Sequence, residues 1–292
     1  IASPKVEGYE AEIKSTNVPG LKAGANADSV SDSYDSSNAP ETLIDAQAGK
    51  RTVSETYWRN IVAKSDLGVY ETVVVYKKVK QKAIVKYIDT SDNNKELAKD
   101  KVEGKSGEAI NYSTEAKITD FVNKGYKLVE DGFTNSTADQ KKFDDDKNID
   151  QEFVVKLKHD VTPVGPNNPH NPTDPINPND PDSPKYPATD QWKKDVTSTV
   201  HYVVSDGKAT APADNVQNAQ WTRTLNVDKV TGKVLNPDAP WTANKANYDA
   251  VPTPGLTGYY ADKGSVASKT VTQENLEETV TYKPLGNLVP KP

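Results

Sequence analysis

Few residues in this chain have both the type and the spacing for catalysis. His159, His170 and His201 lie far apart, and no His-Glu-x-x-His or Gly-x-Ser-x-Gly run surrounds them. Gly104-Lys105-Ser106 ends like a phosphate-binding loop. That loop requires a glycine five residues before Gly104, and Lys99 stands there. Asp144, Asp146, Asn148 and Asp150 place oxygen ligands at alternate positions, as a calcium loop does at its start. Ile149 occupies the position where such a loop turns on glycine, and Val155 that of its closing glutamate, so the competing reading is an acidic turn entering a strand. The chain has no cysteine and no methionine, which removes disulfides, thiolate zinc sites and a cysteine nucleophile. Lysine, asparagine and carboxylates leave an intramolecular isopeptide cross-link open without identifying its trio. No catalytic residue and no cofactor is expected, and the chain reads as a non-enzyme.

The elements that must carry any binding site are small and β-rich. The chain has 292 residues, 34% of them hydrophobic, with 14 Tyr and 4 Trp, so several modest β domains fit better than one large core. The net charge of −6 gives no basic field of the kind nucleic acid or an anionic membrane needs. No apolar run approaches the roughly 20 residues of a membrane span. The start at Ile1 reads as a monomeric fragment of a longer chain.

In order, residues 22–56 are rich in Ser, Ala, Asp and Asn and read as a long loop or partly disordered insertion. Tyr70 to Lys78 alternates as a strand. Residues 81–158 form one α+β unit: a strand over 82–89, turn chemistry at Asp89–Asn94, and a second strand near 99–103. A helix follows over 114–124, with Ser113 as N-cap, Ile118, Phe121 and Val122 on one face, and Gly125 as its stop. The last strand runs from Gln151 to Lys158, with Phe153, Val155 and Leu157 inward and Glu152, Val154 and Lys156 outward. Residues 188–286 form a further β unit. There Val196, Ser198, Val200, Tyr202 and Val204 share one face of a strand, Asp228–Gly232 makes a hairpin turn, and Trp241 begins a loop or short helix reaching Tyr248.

Between the units, prolines recur at every third residue from Pro163 to Pro187. Polyproline II has about 3 residues per turn, so this period predicts a stiff linker over 159–187, on the order of 75 Å long if fully extended. Internal repetition is the other strong signal. Pro4-x-Val6-x-Gly8-Tyr9-x-Ala11 matches Pro254-x-Leu256-x-Gly258-Tyr259-x-Ala261, and Val74-x-Tyr76-Lys77 matches Val280-x-Tyr282-Lys283. Residues 1–80 therefore read as the C-terminal part of a domain like the last one, with an insertion near 20–66. Residues 287–292 read as linker.

Ile84-Val85-Lys86-Tyr87-Ile88-Asp89, then Lys95-Glu96-Leu97, Gly107-Glu108, Gly125-Tyr126 and a closing strand, resemble the MucBP-type repeat of lactobacillar mucus-binding (MUB) proteins. Thr197–Val203, Trp221-Thr222-Arg223-Thr224, Asp228–Gly232 and Trp241-Thr242 look like the second domain of the long repeats in those proteins. The resemblance implies tandem ubiquitin-like β-grasp domains in an elongated array joined by the proline-rich linker. It also implies an extracellular, cell-wall-anchored adhesin of a Gram-positive bacterium, with mucin glycoproteins and host glycans as partners and immunoglobulin binding reported within the family. The alternatives are a structural stalk that projects other domains and a module binding immunoglobulin protein. For glycan stacking, Trp221, Trp241, Tyr259 and Tyr260 are the candidates, each weighed against a packing role.

Overall fold

The computed structural model describes residues 8–16, 20, 22–27, 56–65 and 68–286. The chain divides into two compact units, Ile1–Asp120 with Lys127–Lys158, and Phe121–Tyr126 with His159–Pro292. The Ser- and Asp-rich residues 28–55 lie outside the described residues.

The first unit begins with strands β1 (Tyr9–Thr16), β2 (Thr56–Ser65) and β3 (Gly68–Lys78), in the order β1-β3-β2 with both pairings antiparallel. Strands β4 (Lys80–Asp89) and β5 (Lys95–Lys105) form a hairpin. Its turn uses Asn93 and Asn94 at φ 50° and 56°, a conformation asparagine tolerates better than most residues. Helix α1 (Glu115–Asn123) leads into β6 (Tyr126–Asp131), and β7 (Gln151–His159) returns parallel to β4 to give the order β5-β4-β7-β6. On β7, Phe153, Val155 and Leu157 are buried against Val85 and Tyr87 of β4 and against Phe133, as the alternation requires. Ser113 accepts the Glu115 amide at 3.3 Å, and Gly125 ends the helical segment at φ 96°. One expectation fails here: no residue of α1 is buried, and Val122 is 47% exposed rather than shared with Ile118 and Phe121 on a core face.

The second unit starts with β8 (Val161–Val164) and carries β9 (Lys193–Val204), β10 (Asn215–Thr222) and β11 (Leu225–Asp228). Short strands follow: β12 (Thr242–Ala243), β13 (Asn247–Tyr248), β14 (Val251–Pro252), β15 (Tyr259–Ala261), β16 (Ser265–Val266) and β17 (Lys269–Thr270). β18 (Leu276–Pro284) closes the unit. The main sheet has the order β12-β10-β9-β18-β15, with β18 parallel to β9. Val196, Val200 and Tyr202 are buried as predicted. Residues from Trp241 to Tyr248 are extended as β12 and β13 rather than helical, because β12 takes its hydrogen bonds from the edge of β10.

Two corrections concern the proline segment. It is not an extended spacer: β8, with Pro163 in it, pairs antiparallel with β11, and Val164 and Ile176 are buried with Trp192, Leu225 and Val227. Nor is it continuous polyproline II, since turns interrupt it. Asn171 accepts the Thr173 amide, Asp180 accepts the Asp182 amide, the Ile176 amide donates to Pro184 O, and His170 stacks on Tyr186 at 3.9 Å. Proline fixes φ but leaves the intervening Asn and Asp free to cap turns, and one isoleucine among them suffices to anchor the segment to a core.

The sequence repeat reappears as register. Tyr9, Glu10 and Ala11 face Lys78, Lys77 and Tyr76, while Tyr259, Tyr260 and Ala261 face Pro284, Lys283 and Tyr282. Val79 N donates to Gly8 O at 2.9 Å, and Leu285 N donates to Gly258 O at 2.9 Å, with φ 78° at Gly8 and 84° at Gly258. The copies differ on the far edge: β18 has β9 beside it in parallel, whereas β3 has β2, antiparallel.

Candidate functional site

The outward residues of β7 build the floor of an open cleft in the first unit. Alternation along Gln151–His159 turns Glu152, Val154 and Lys156 away from the core, and Ile88 of β4 pairs with Lys156 beside them. The wall is the segment that follows β6. Asp131, 8% exposed, accepts from Thr114 Oγ1 (2.5 Å), Thr134 Oγ1 (2.7 Å) and the amides of Phe133 (3.1 Å) and Thr134 (2.9 Å). Burial pushes this carboxyl up, but those donors outweigh it and hold its pKa below the ordinary carboxylate range. Gly132 N then donates to Val154 O at 3.0 Å, and a Cβ at this position would collide with that oxygen, so only glycine lets the wall lie on the strand. Ser136 Oγ donates to Gly132 O at 2.7 Å, and Gln151 Nε2 donates to both Gln140 O and Lys142 O at 3.0 Å. The resulting cleft of about 700 Å³ is lined by Ile88, Gly132, Val154, Ser136 and Gln140, and by the charged side chains of Glu130, Glu152 and Lys156. Sequence reasoning missed it. The outward face of β7 was legible, but the wall depends on Asp131 reaching Thr114 and on Gly132 meeting Val154, both distant in the chain.

A second cleft of about 600 Å³ lies in the second unit among Thr224, Leu235, Asn236 and Pro237–Pro240. Arg223 fixes its wall by donating from Nε to Gln191 O and from Nη1 to Pro237 O and Ala239 O. The adjoining Trp241 is occupied by cations, with Lys194 Nζ and Arg223 Cζ each 4.6 Å from its ring centroid. Trp221 packs against the cluster of Val196, Ala219, Tyr248 and Val271, and its Nε1 donates to Thr272 O. Tyr259 packs against the Val200–Tyr282 cluster and donates to Asp206, while Tyr260 is 49% exposed. Trp221 and Trp241 sit by the β10–β12 edge of the sheet, and Tyr259 and Tyr260 on β15 at the other edge. The four do not converge.

Asp144, Asp146, Asn148 and Asp150 do not converge either. Asp144 accepts the Asp146 amide and Asp146 the Asn148 amide, so the alternate spacing builds successive turns. Burial and the neighbouring Asp146 and Asp145 push the Asp144 carboxyl up. Among the described residues no group of three acidic or histidine side chains is arranged to hold a metal ion. The three histidines are engaged separately: His159 with Asp228 at 2.7 Å, His170 with Tyr186, and His201 with Asp214 at 2.8 Å and Glu277 at 3.5 Å. Among the described residues no helix is long and apolar enough to cross a membrane.

This is a β-rich chain with open clefts of mixed polar and apolar lining. Residues 81–159 match the family model of the mucin binding domain, and residues 187–286 that of the Muc B2-like domain. The chain belongs to the MucBP/MUB-type repeat family, a mucus-binding, adhesin-type module found in bacterial surface proteins. It is similar to the type 2 repeat of the mucus-binding protein MUB from Lactobacillus reuteri, with 32% identity over 70% of this chain and 100% of that one, at a TM-score of 0.43. It is also similar to Mub-RV, with 28% identity over 70% and 100% at a TM-score of 0.49. A MucBP domain of an adhesion protein from Pediococcus pentosaceus is 30% identical over 32% of this chain and 99% of that one, at a TM-score of 0.28. Among curated proteins the chain has no match.

Proposed function

We propose that this chain is a non-catalytic part of a cell-wall-anchored bacterial adhesin that binds the glycans of mucin. The observation that carries the reading is the pairing, in one chain, of a mucin binding domain and a Muc B2-like domain. The open clefts, each with apolar and hydrogen-bonding groups in its lining, suit sugar ligands held weakly, with avidity gained by repetition. Residues 81–158 and 188–286 are each read as a β-grasp domain. Support comes from a shared order in which an opening hairpin lies beside a last strand parallel to the first, as in β5-β4-β7-β6 and β10-β9-β18-β15. Residues 1–80 are read as the C-terminal part of a second MUB-type domain, on the matched registers of β1–β3 and β15–β18.

The test is binding of the whole chain to immobilised purified mucin before and after enzymatic removal of its glycans. Binding that falls on deglycosylation supports the reading. Binding that survives points to protein recognition, and no binding by the chain, even when multimerised, points to a stalk.

A further inference from the structure

We propose that the cleft beside β7 is a subsite for a neutral saccharide, with Glu130, Ser136 and Gln140 as its hydrogen-bonding residues and Val154 and Ile88 as its apolar floor. This deepens the glycan reading and rests on it.

The cleft volume of about 700 Å³ lies inside the range of about 300–1,000 Å³ usual for small-molecule sites. Its surface has the two components that a sugar ring presents in reverse. A pyranose has one face of C–H groups and an equator of hydroxyls. Val154 and Ile88 supply the apolar patch, and the polar lining residues supply acceptors and donors. The polar groups are held in place beforehand. Gln151 is locked by two backbone carbonyls and by the Asp144 amide, and Ser136 Oγ is aimed by its bond to Gly132 O, which leaves its own lone pairs to accept. Gln140 Oε1 accepts the Thr137 amide at 2.8 Å, and among the described residues its Nε2 has no partner. The wall itself hangs on the four donors to Asp131, so the ligand need not order it.

The charge arrangement selects the class of sugar. Each lining carboxylate already has a lysine: Glu130 pairs with Lys156 at 3.6 Å, and Glu152 with Lys86 at 3.3 Å. Among the described lining residues the one cation, Lys156, is therefore already paired, leaving none for a sulfate or a sugar carboxylate. A hydroxyl can donate to Glu130 or Glu152 without disturbing these pairs, and such bonds to an ionised acceptor are the strong ones. An anionic sugar would have to approach the same two carboxylates.

The experiment titrates the ¹⁵N-labelled whole chain with N-acetyllactosamine, and with the same disaccharide bearing sialic acid or sulfate, by NMR. Mucin binding of the chain and of Glu130→Ala, Ser136→Ala and Tyr260→Ala is measured alongside. The neutral disaccharide is expected to shift amides within 130–136 and 151–156, and Glu130→Ala to weaken it about tenfold, as loss of one charge-assisted hydrogen bond would. The proposal is overturned if shifts fall elsewhere or are absent, or if Tyr260→Ala abolishes mucin binding while Glu130→Ala leaves it intact. Either result leaves the glycan reading standing. Stronger binding of the sialylated or sulfated probe at the same amides overturns the neutral class. A wild-type chain that binds no mucin removes the glycan reading, and the subsite with it. Should Glu130→Ala unfold, the wild-type shift map decides alone.

Discussion

Asp131 is the residue on which the cleft wall depends, and its replacement gives a prediction worked from the structure. Its carboxylate is 8% exposed and accepts from two hydroxyls and two amides, one of them the amide of the buried Phe133. In Asp131→Ala the threonine hydroxyls can rotate to other acceptors, but the two amides cannot. A buried donor left unsatisfied costs about 1–3 kcal/mol, and a bond to a charged acceptor contributes about 1.5–3 kcal/mol. The expected loss is about 3–5 kcal/mol, and Asp131→Asn, which keeps one oxygen for the amides, should lose about 1–2 kcal/mol. At roughly 2–4 °C per kcal/mol for a unit of this size, the alanine variant should melt about 6–20 °C lower. The sign of the pH dependence follows from the lowered pKa. The contribution of the ionised carboxyl is fully present above its unfolded value of about 3.9 and is lost as pH falls through the lower folded value. Calorimetry of the whole chain and both variants between pH 7 and about pH 2.5 should therefore show the gap between wild type and Asp131→Asn closing in acid. Equal stability of the two at pH 7, or a gap that acid leaves unchanged, refutes the reasoning.

Ile176→Ala should destabilise the second unit by about 2–4 kcal/mol, because it empties a buried site shared with Val164 and Trp192; an unchanged melt would return the proline segment to a free spacer. His201 has its pKa raised, chiefly by its hydrogen bond to Asp214 against a smaller opposing desolvation. Its NMR titration midpoint should lie above the ordinary value of about 6.5 and move down in Asp214→Asn. The Asp214 pairing is then strongest below that midpoint and fades as pH rises through it; identical midpoints in the two proteins would contradict the assignment. Calcium should leave the melting temperature of the first unit unchanged, since Asp144 and Asp146 cap turns; a rise on adding calcium that EDTA reverses would restore the calcium loop.

The sequence alone determined whatever depends on neighbours along the chain. Alternation in Gln151–His159 and Lys193–Val204 placed Phe153, Val155, Val200 and Tyr202 inside, because the side-chain period of a strand is local. The Gly-Tyr-x-Ala and Val-x-Tyr-Lys repeats anticipated two strand pairs of the same register. Tertiary structure decided what depends on distant partners. Every third proline made the linker stiff on paper, but Ile176 finds a core and β8 finds β11, and apolar burial outweighs a backbone preference worth little per residue. The aromatic candidates were chosen by side-chain type, yet Trp221 packs in a core cluster and Trp241 lies against Lys194 and Arg223. The cleft that does form depends on Asp131 reaching Thr114 and on Gly132 meeting Val154, contacts fixed only when helix, loop and last strand close together.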